Sequence, residues 1–283
     1  MRAAMPFRHS TPAPSPVACG IAAHAFVEAS LSQVGPLRDR SGPEGSPALP
    51  PRFLRHCDEQ TVVAVHAVLT AIAALPPGRR DCGRHGVVAA SCQTGRLATA
   101  ASLAKLRTQG AVSVSPHIVP QCSLHSIAGA VSVALGMHGP NVGIGGGPDA
   151  LAEGLFTAIS FLQSGDGADV DGAWLVVSDW AEEPTLDTTG AALGDPTCRG
   201  LALFLEPAAA APLGLTVHVP DGPVGPRTIE THDPLGDFAR AVAMCATGGV
   251  LTSWMVECPW RSEIRLTRTA CHPAQATIRR EAA

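Results

Sequence analysis

The sequence holds a single lysine, Lys105, in 283 residues. That shortage bears on the glycine-rich stretch at residues 139–154, "GPNVGIGGGPDALAEG", because a phosphate-binding loop needs a lysine followed by serine or threonine to meet the phosphates and the magnesium ion. Positive charge is scarce overall. Twenty basic and 24 acidic residues give a formal net charge of -4, which leaves no electrostatic footprint for nucleic acid or an anionic membrane. Long apolar runs are missing too: none approaches the roughly 18 uncharged residues of a spanning helix. At the N-terminus, Pro6, Pro12, Pro14 and Pro16 interrupt any signal-peptide core. The expectation is a soluble, cytoplasmic protein that engages neither nucleic acid nor membrane. Cysteines are plentiful, but paired spacings are not. The nine of them, at 19, 57, 82, 92, 122, 198, 245, 258 and 271, include no CxxC pair and no Cys/His cluster at zinc spacing. They read as reduced thiols, mostly small core residues, and neither a metal nor a cofactor is expected.

What is present is apolar substance: 46% hydrophobic and 16% charged residues suffice for a sizeable core. Residues 1–18 are rich in proline, serine and alanine and read as a poorly ordered tail. Residues 35–51, "GPLRDRSGPEGSPALPP", form a second loop-forming stretch, and "ACGIAAHAFVEAS" between them reads as a first strand and turn. Asp58 is an N-cap for an amphipathic helix carrying Val62, Val65, Leu69 and Ile72, which Pro76 and Pro77 stop. A strand is expected at 85–91 and helices at 97–108 and from Pro148. "GAWLVVS" (172–178), "GLALFLE" (200–206) and "LTVHV" (215–219) have the continuous apolar pattern of strands buried on both faces. A helix near 234–245 and a strand near 263–269 follow. Helices alternating with such strands predict a layered α/β fold.

The glycine turn also fails as a dinucleotide fingerprint, since the third glycine or alanine position after Gly143 and Gly145 is Pro148. Residues 119–158, however, resemble the nucleophile region of β-ketoacyl synthases of the thiolase fold. An Ala-Gly pair there opens a run that ends in Gly-Met and Gly-Pro, then a strand, then a sharp turn into a buried helix. Ala128, Gly129, Ser132, Gly136, Met137, Gly139 and Pro140 match without a gap. "GDGADVDGAWLVVSD" resembles the strand after the buried helix, and "RGLALFLE" the strand that opens the second half. The resemblance covers roughly residues 55–220. It implies a thiolase-like layered α/β/α fold over residues 19–283, with a first half of about 19–199 and a truncated second half of about 200–283.

Counted from Gly139-Pro140, the family's catalytic cysteine falls on Pro148, or on Gly147 with a slip of one residue, and neither carries a nucleophile. The cysteine works at such a turn because a helix N-terminus favours the thiolate and the following amides hold the oxyanion. Pro148 suits the first helical position instead, and Asp149 and Glu153 complement the positive helix end. Of the family's two second-half histidines, only His232 offers a match. The resemblance therefore implies a divergent, chain-length-factor or aryl-polyene-type relative that condenses nothing. It would pair with a ketosynthase or with itself in polyketide or fatty-acyl biosynthesis, with acyl carrier protein as a further partner. The alternative is an acyltransferase, hydrolase or cyclase on carrier-bound or CoA-bound acyl chains with a relocated site.

For that alternative, Cys122 and His125 in "PQCSLHS" are the candidate catalytic pair and His232 a third candidate, each set against an incidental loop residue. Gly145, Gly146, Gly147 and Pro148 would line an acyl or pantetheine pocket, the glycines allowing close approach of a ligand or of a neighbouring strand. Asn141, Val142, Gly143, Ile144 and Gly145 form the strand expected to pair antiparallel with its twin in a dimer, with Val142 and Ile144 packing inward. His138 reads as a turn residue. Trp174, Trp254 and Trp260 read as core aromatics or pocket walls, and Arg261, Arg265 and Arg268 as a charged edge strand or a carrier-protein contact.

Overall fold

The computed structural model of the chain describes residues 17–163, 170–207, 211–218, 233–248, 253–258 and 262–268. The first strand, β1 (Val17–Ser30), runs directly into α1 (Leu31–Leu37), so the stretch read as a strand and turn is one continuous strand. Helix α1 also takes in the start of the 35–51 segment expected to be irregular. Asp58 then caps α2 (Glu59–Ala74), accepting the Thr61 N–H at 3.0 Å, as the sequence signals.

Helix α2 differs from the expected amphipathic helix: twelve of its sixteen residues are buried, Gln60, Thr61 and His66 among them. The reason is its position. One side lies on the sheet, another meets the later helix α5 (Ser126–Leu135), and α1 closes a third, where His66 Nε2 bonds the Leu37 carbonyl at 2.9 Å.

Beyond α2 come β2 (His85–Cys92), α3 (Arg96–Gln109), the short α4 (Ile118–Gln121) and α5, then β3 (Asn141–Gly146) and α6 (Ala150–Gln163). The chain continues as β4 (Gly172–Trp180), β5 (Thr197–Pro207), β6 (Leu213–His218), α7 (Pro234–Thr247), β7 (Ser253–Glu257) and β8 (Glu263–Arg268). These strands form one eight-stranded sheet in the order β3-β2-β4-β5-β1-β6-β8-β7. Strands β2, β3 and β4 run parallel, and every pairing from β4 to the β7 edge is antiparallel.

Two apolar layers sandwich the sheet. Val63, Ala67 and Ile72 of α2 and Ile127 and Val131 of α5 pack with Trp174, Val176 and Phe204 on one face. Leu155 and Ile159 of α6 and Phe238 and Val242 of α7 pack with Leu175, Leu203 and Leu215 on the other. Burial of each such side chain contributes roughly 1.5–3 kcal/mol. The continuous apolar strands β4 and β5 are buried on both faces, as expected. Strand β6 is not: its burial alternates, with Leu213, Leu215 and Val217 turned to the α6–α7 layer and Gly214, Thr216 and His218 only half-buried. Strand β8 is also not an edge. Strand β7, which had no clear sequence signal, takes that place, and the exposed Arg265 pairs with Glu263 on β8 itself.

Candidate functional site

Strands β2 and β3 are parallel neighbours whose connections leave toward opposite layers. Strand β2 passes to α3, whose Leu97 joins the α2 layer, while β3 passes to α6 on the other side. Beyond the carboxyl ends of parallel strands whose connections diverge in this way lies the usual ligand crevice of α/β sheets. The glycine turn stands there. Gly145 and Gly146 adopt left-handed φ angles of 89° and 106°, which favour glycine. The Asp149 carbonyl accepts the Glu153 N–H at 3.0 Å and α6 begins at Ala150, so Pro148 stands just outside the helix rather than at its first position. Pro148 is exposed, and a side chain on Gly147 would meet no atom within 4 Å.

Gly143 behaves differently. A Cβ there would stand 2.2 Å from the Leu124 carbonyl oxygen and 2.6 Å from His125 Cα. Its missing side chain admits the chain's own 124–125 segment. The backbone of β3 is open on the other side. The Val87 N–H donates to the Pro140 carbonyl at 2.9 Å, and peptide groups of alternate residues point to opposite edges, so those of Asn141, Gly143 and Gly145 face away from β2. Ile144 packs against the α6 layer and Val142 is half-buried. The 96–125 excursion is poorly covered: Leu97 is the buried residue of α3, while Leu103, Leu106, Val112 and Val119 are exposed, Leu103 beside the 186–190 loop.

The candidate pair of cysteine and histidine has no mutual hydrogen bond among the described residues. Cys122 lies half-buried against Gly95, at the start of α3. Burial raises its thiol pKa, a hydrogen bond from Thr99 opposes the rise, and the nearby charges of Asp58 and Glu59 add to it. A thiol held protonated is a poor nucleophile. His125 is exposed at the N-terminus of α5. His232, Trp260 and Arg261 lie outside the described residues. Trp174 is wholly buried in the α2-side core, Trp254 packs on Phe238 at 5.0 Å between ring centres, and the backbone N–H of the exposed His138 donates to the Gly83 carbonyl.

A set of charged side chains escaped the sequence reading. Arg199 at the start of β5 forms a two-pronged pair with Asp179 at the end of β4, both contacts 2.8 Å, and a third bond to Asp233 at 2.7 Å. Its side chain is only 6% exposed. Desolvation works against the charge, but the hydrogen bonds and the fields of Asp179 and Asp233 outweigh it and raise the guanidinium pKa. Asp233 also caps α7, accepting the Gly236 N–H at 3.0 Å, so the network ties the start of α7 to the sheet. Glu28 of β1 is the cross-strand partner of Arg199. One position beyond the Ser91–Ser178 pair, Cys92 is the neighbour of Asp179 and stands opposite Gly146 of the turn. The charged network thus lies at the same end of the sheet as the glycine turn, two and three strands away from β3. The signal was present in "VVSDW" and "TCRGLAL", where one charge ends or opens each apolar run, a pattern that reads as a strand boundary.

No protein-family model matches the sequence, and no curated protein matches it. Solved structures do. The chain is similar to one in the ketosynthase (ApeO) in complex with its chain length factor (ApeC) from Xenorhabdus doucetiae, with a TM-score of 0.54 at 16% identity, over 88% of this chain and 99% of that one. It is also similar to the ishigamide ketosynthase/chain length factor, with a TM-score of 0.47 at 19% identity over 71% of this chain and 67% of that one. A third similarity is to the complex of a type II polyketide acyl-carrier protein with its ketosynthase, with a TM-score of 0.49 at 15% identity over 68% of this chain and 63% of that one. The chain has the layered, thiolase-like α/β/α fold of the ketosynthase and chain length factor chains. Among the described residues, no helix is long and apolar enough to cross a membrane, and no cluster of three or more ligating side chains could hold a metal ion.

Proposed function

We propose that this chain is a non-condensing ketosynthase-like subunit that pairs with a ketosynthase, or with a second copy of itself, in polyketide or fatty-acyl biosynthesis. The carrying observation is the free β3 edge. Outward-facing peptide groups of Asn141, Gly143 and Gly145 offer backbone donors and acceptors at the end of the sheet. An uncovered edge of this kind invites pairing with another chain. The neighbouring turn supports the non-condensing part. Gly147 and Pro148 bear no nucleophile. An acyl carrier protein would then meet the partner's thiol rather than one in this chain.

Incubation with acyl-carrier and malonyl-carrier proteins is expected to leave the intact mass of this chain unchanged. An acyl adduct on any residue contradicts the reading, and an adduct on Cys122 would move the assignment to an acyl-transfer enzyme.

A further inference from the structure

At the opposite end of β2 from the glycine turn, about 23 Å away by the rise of an eight-residue strand, lies a cavity of about 340 Å³. Its walls include Arg79, Asp81, Arg84, His85, Asp171 and Phe204. His85 is the unusual member. It is 4% exposed, its ring packs on Phe204 at 4.5 Å between centres, and the indole Nε1–H of Trp174 donates to its Nδ1 at 3.2 Å. An indole N–H donates only, so Nδ1 must accept and the ring proton resides on Nε2. Burial lowers the His85 pKa, with Asp171 and Asp81 opposing, so the ring is neutral at pH 7. Among the described residues the Nε2–H has no hydrogen-bond partner. Nε2 is not sealed from water, and it belongs to a side chain that lines the cavity, so its N–H is open to an acceptor entering there.

The two guanidinium groups on the walls have donors to spare. Arg84 gives its Nε–H to Asp171 at 3.2 Å, and Arg79 pairs with Glu206 through one terminal nitrogen. Each arginine carries five N–H groups, so most remain available. Of the opposing carboxylates, Glu206 stays on Arg79, being only 12% exposed, but Asp171 is loosely held. Asp171 and Arg84 are 62% and 65% exposed, and an ion pair that open to water is worth roughly 0–1 kcal/mol. Asp81 is exposed as well and holds the Gly83 N–H with one oxygen. An acceptor-only group entering from solvent can therefore take the place of Asp171 on Arg84 at little cost and reach the unpaired imidazole donor below.

We propose that this cavity is a binding site for a small oxyanion, a phosphate or carboxylate group, with one oxygen on His85 Nε2 and the others shared by Arg84 and Arg79. The site is separate from the glycine turn and stands whether or not the chain is a ketosynthase partner.

The test uses the full chain with inorganic phosphate and, separately, acetate, at constant ionic strength set with chloride. Millimolar phosphate or acetate is expected to raise the unfolding midpoint by about 2–4 °C and to shift the His85 imidazole nitrogen resonances, the stronger ligand identifying the group. Arg84→Gln, a change at an exposed side chain that leaves the fold intact, is expected to abolish both responses. The proposal is overturned by a wild-type protein that responds to neither anion, by a midpoint shift with the His85 signals unmoved, or by a full response in Arg84→Gln.

Discussion

Asp179→Ala is expected to lower the unfolding free energy by about 3–5 kcal/mol, because it leaves the Arg199 guanidinium buried with half its pairing gone. Both Asp179 oxygens are engaged on Arg199 at 2.8 Å, and a side chain 6% exposed has little water to turn to. Asp233 remains, but it also holds the start of α7, so the strain of re-pairing passes to that helix. At roughly 2–4 °C per kcal/mol for a chain of this size, the midpoint should fall by about 6–20 °C. Replacing both members, as in Asp179→Leu with Arg199→Met, removes the unpaired charge and is expected to restore stability to within about 1–2 kcal/mol of wild type. Thermal or denaturant unfolding of the two variants checks this. A single variant as stable as wild type would mean that solvent reaches Arg199.

Gly143→Val should cost about 3 kcal/mol or more, at the upper end of overpacking effects. The added Cβ would stand 2.2 Å from the Leu124 carbonyl oxygen and 2.5 Å from its carbon, and both are backbone atoms that no rotamer change can move. Either the 122–125 segment lifts from β3 or the β2–β3 pairing breaks. Gly147→Ala is the matched control. It lies in the same turn region with no atom within 4 Å of the new methyl group, and its effect should stay within about 0.5 kcal/mol. Equal effects of the two changes would contradict the packing described for Gly143.

The contrast between these glycines shows what the sequence could and could not disclose. The glycine run marked a sharp strand-to-helix turn correctly, because consecutive glycines and a following Pro148 have few other uses. It could not separate Gly143, which admits a neighbouring segment, from Gly147, which meets nothing, since that depends on where residues 124–125 lie in space. Strands β4 and β5 were legible because burial on both faces leaves an unbroken apolar run. Helix α2 was legible as a helix, but its enclosure on nearly every side was not, because Gln60, Thr61 and His66 are polar residues whose partners, such as the carbonyls of Cys92 and Leu37, come from other elements. The Asp179–Arg199–Asp233 network joins three separate elements, and no local pattern announces such a meeting. Strand β7 is short and lies at the sheet edge beside β8, where only one neighbour shapes its sequence.

The most direct test of the pairing role is the native mass of this chain, alone and mixed with any ketosynthase encoded beside it, for the wild type and for Asn141→Pro. Proline at 141 removes a backbone donor that faces away from β2 at an exposed position, without the collision that a side chain at Gly143 would cause. The account predicts a dimer, with a ketosynthase or with itself, in the wild type and a mass shifted to the monomer in the variant. A wild-type chain that stays monomeric at high concentration, both alone and with any such ketosynthase, would contradict it.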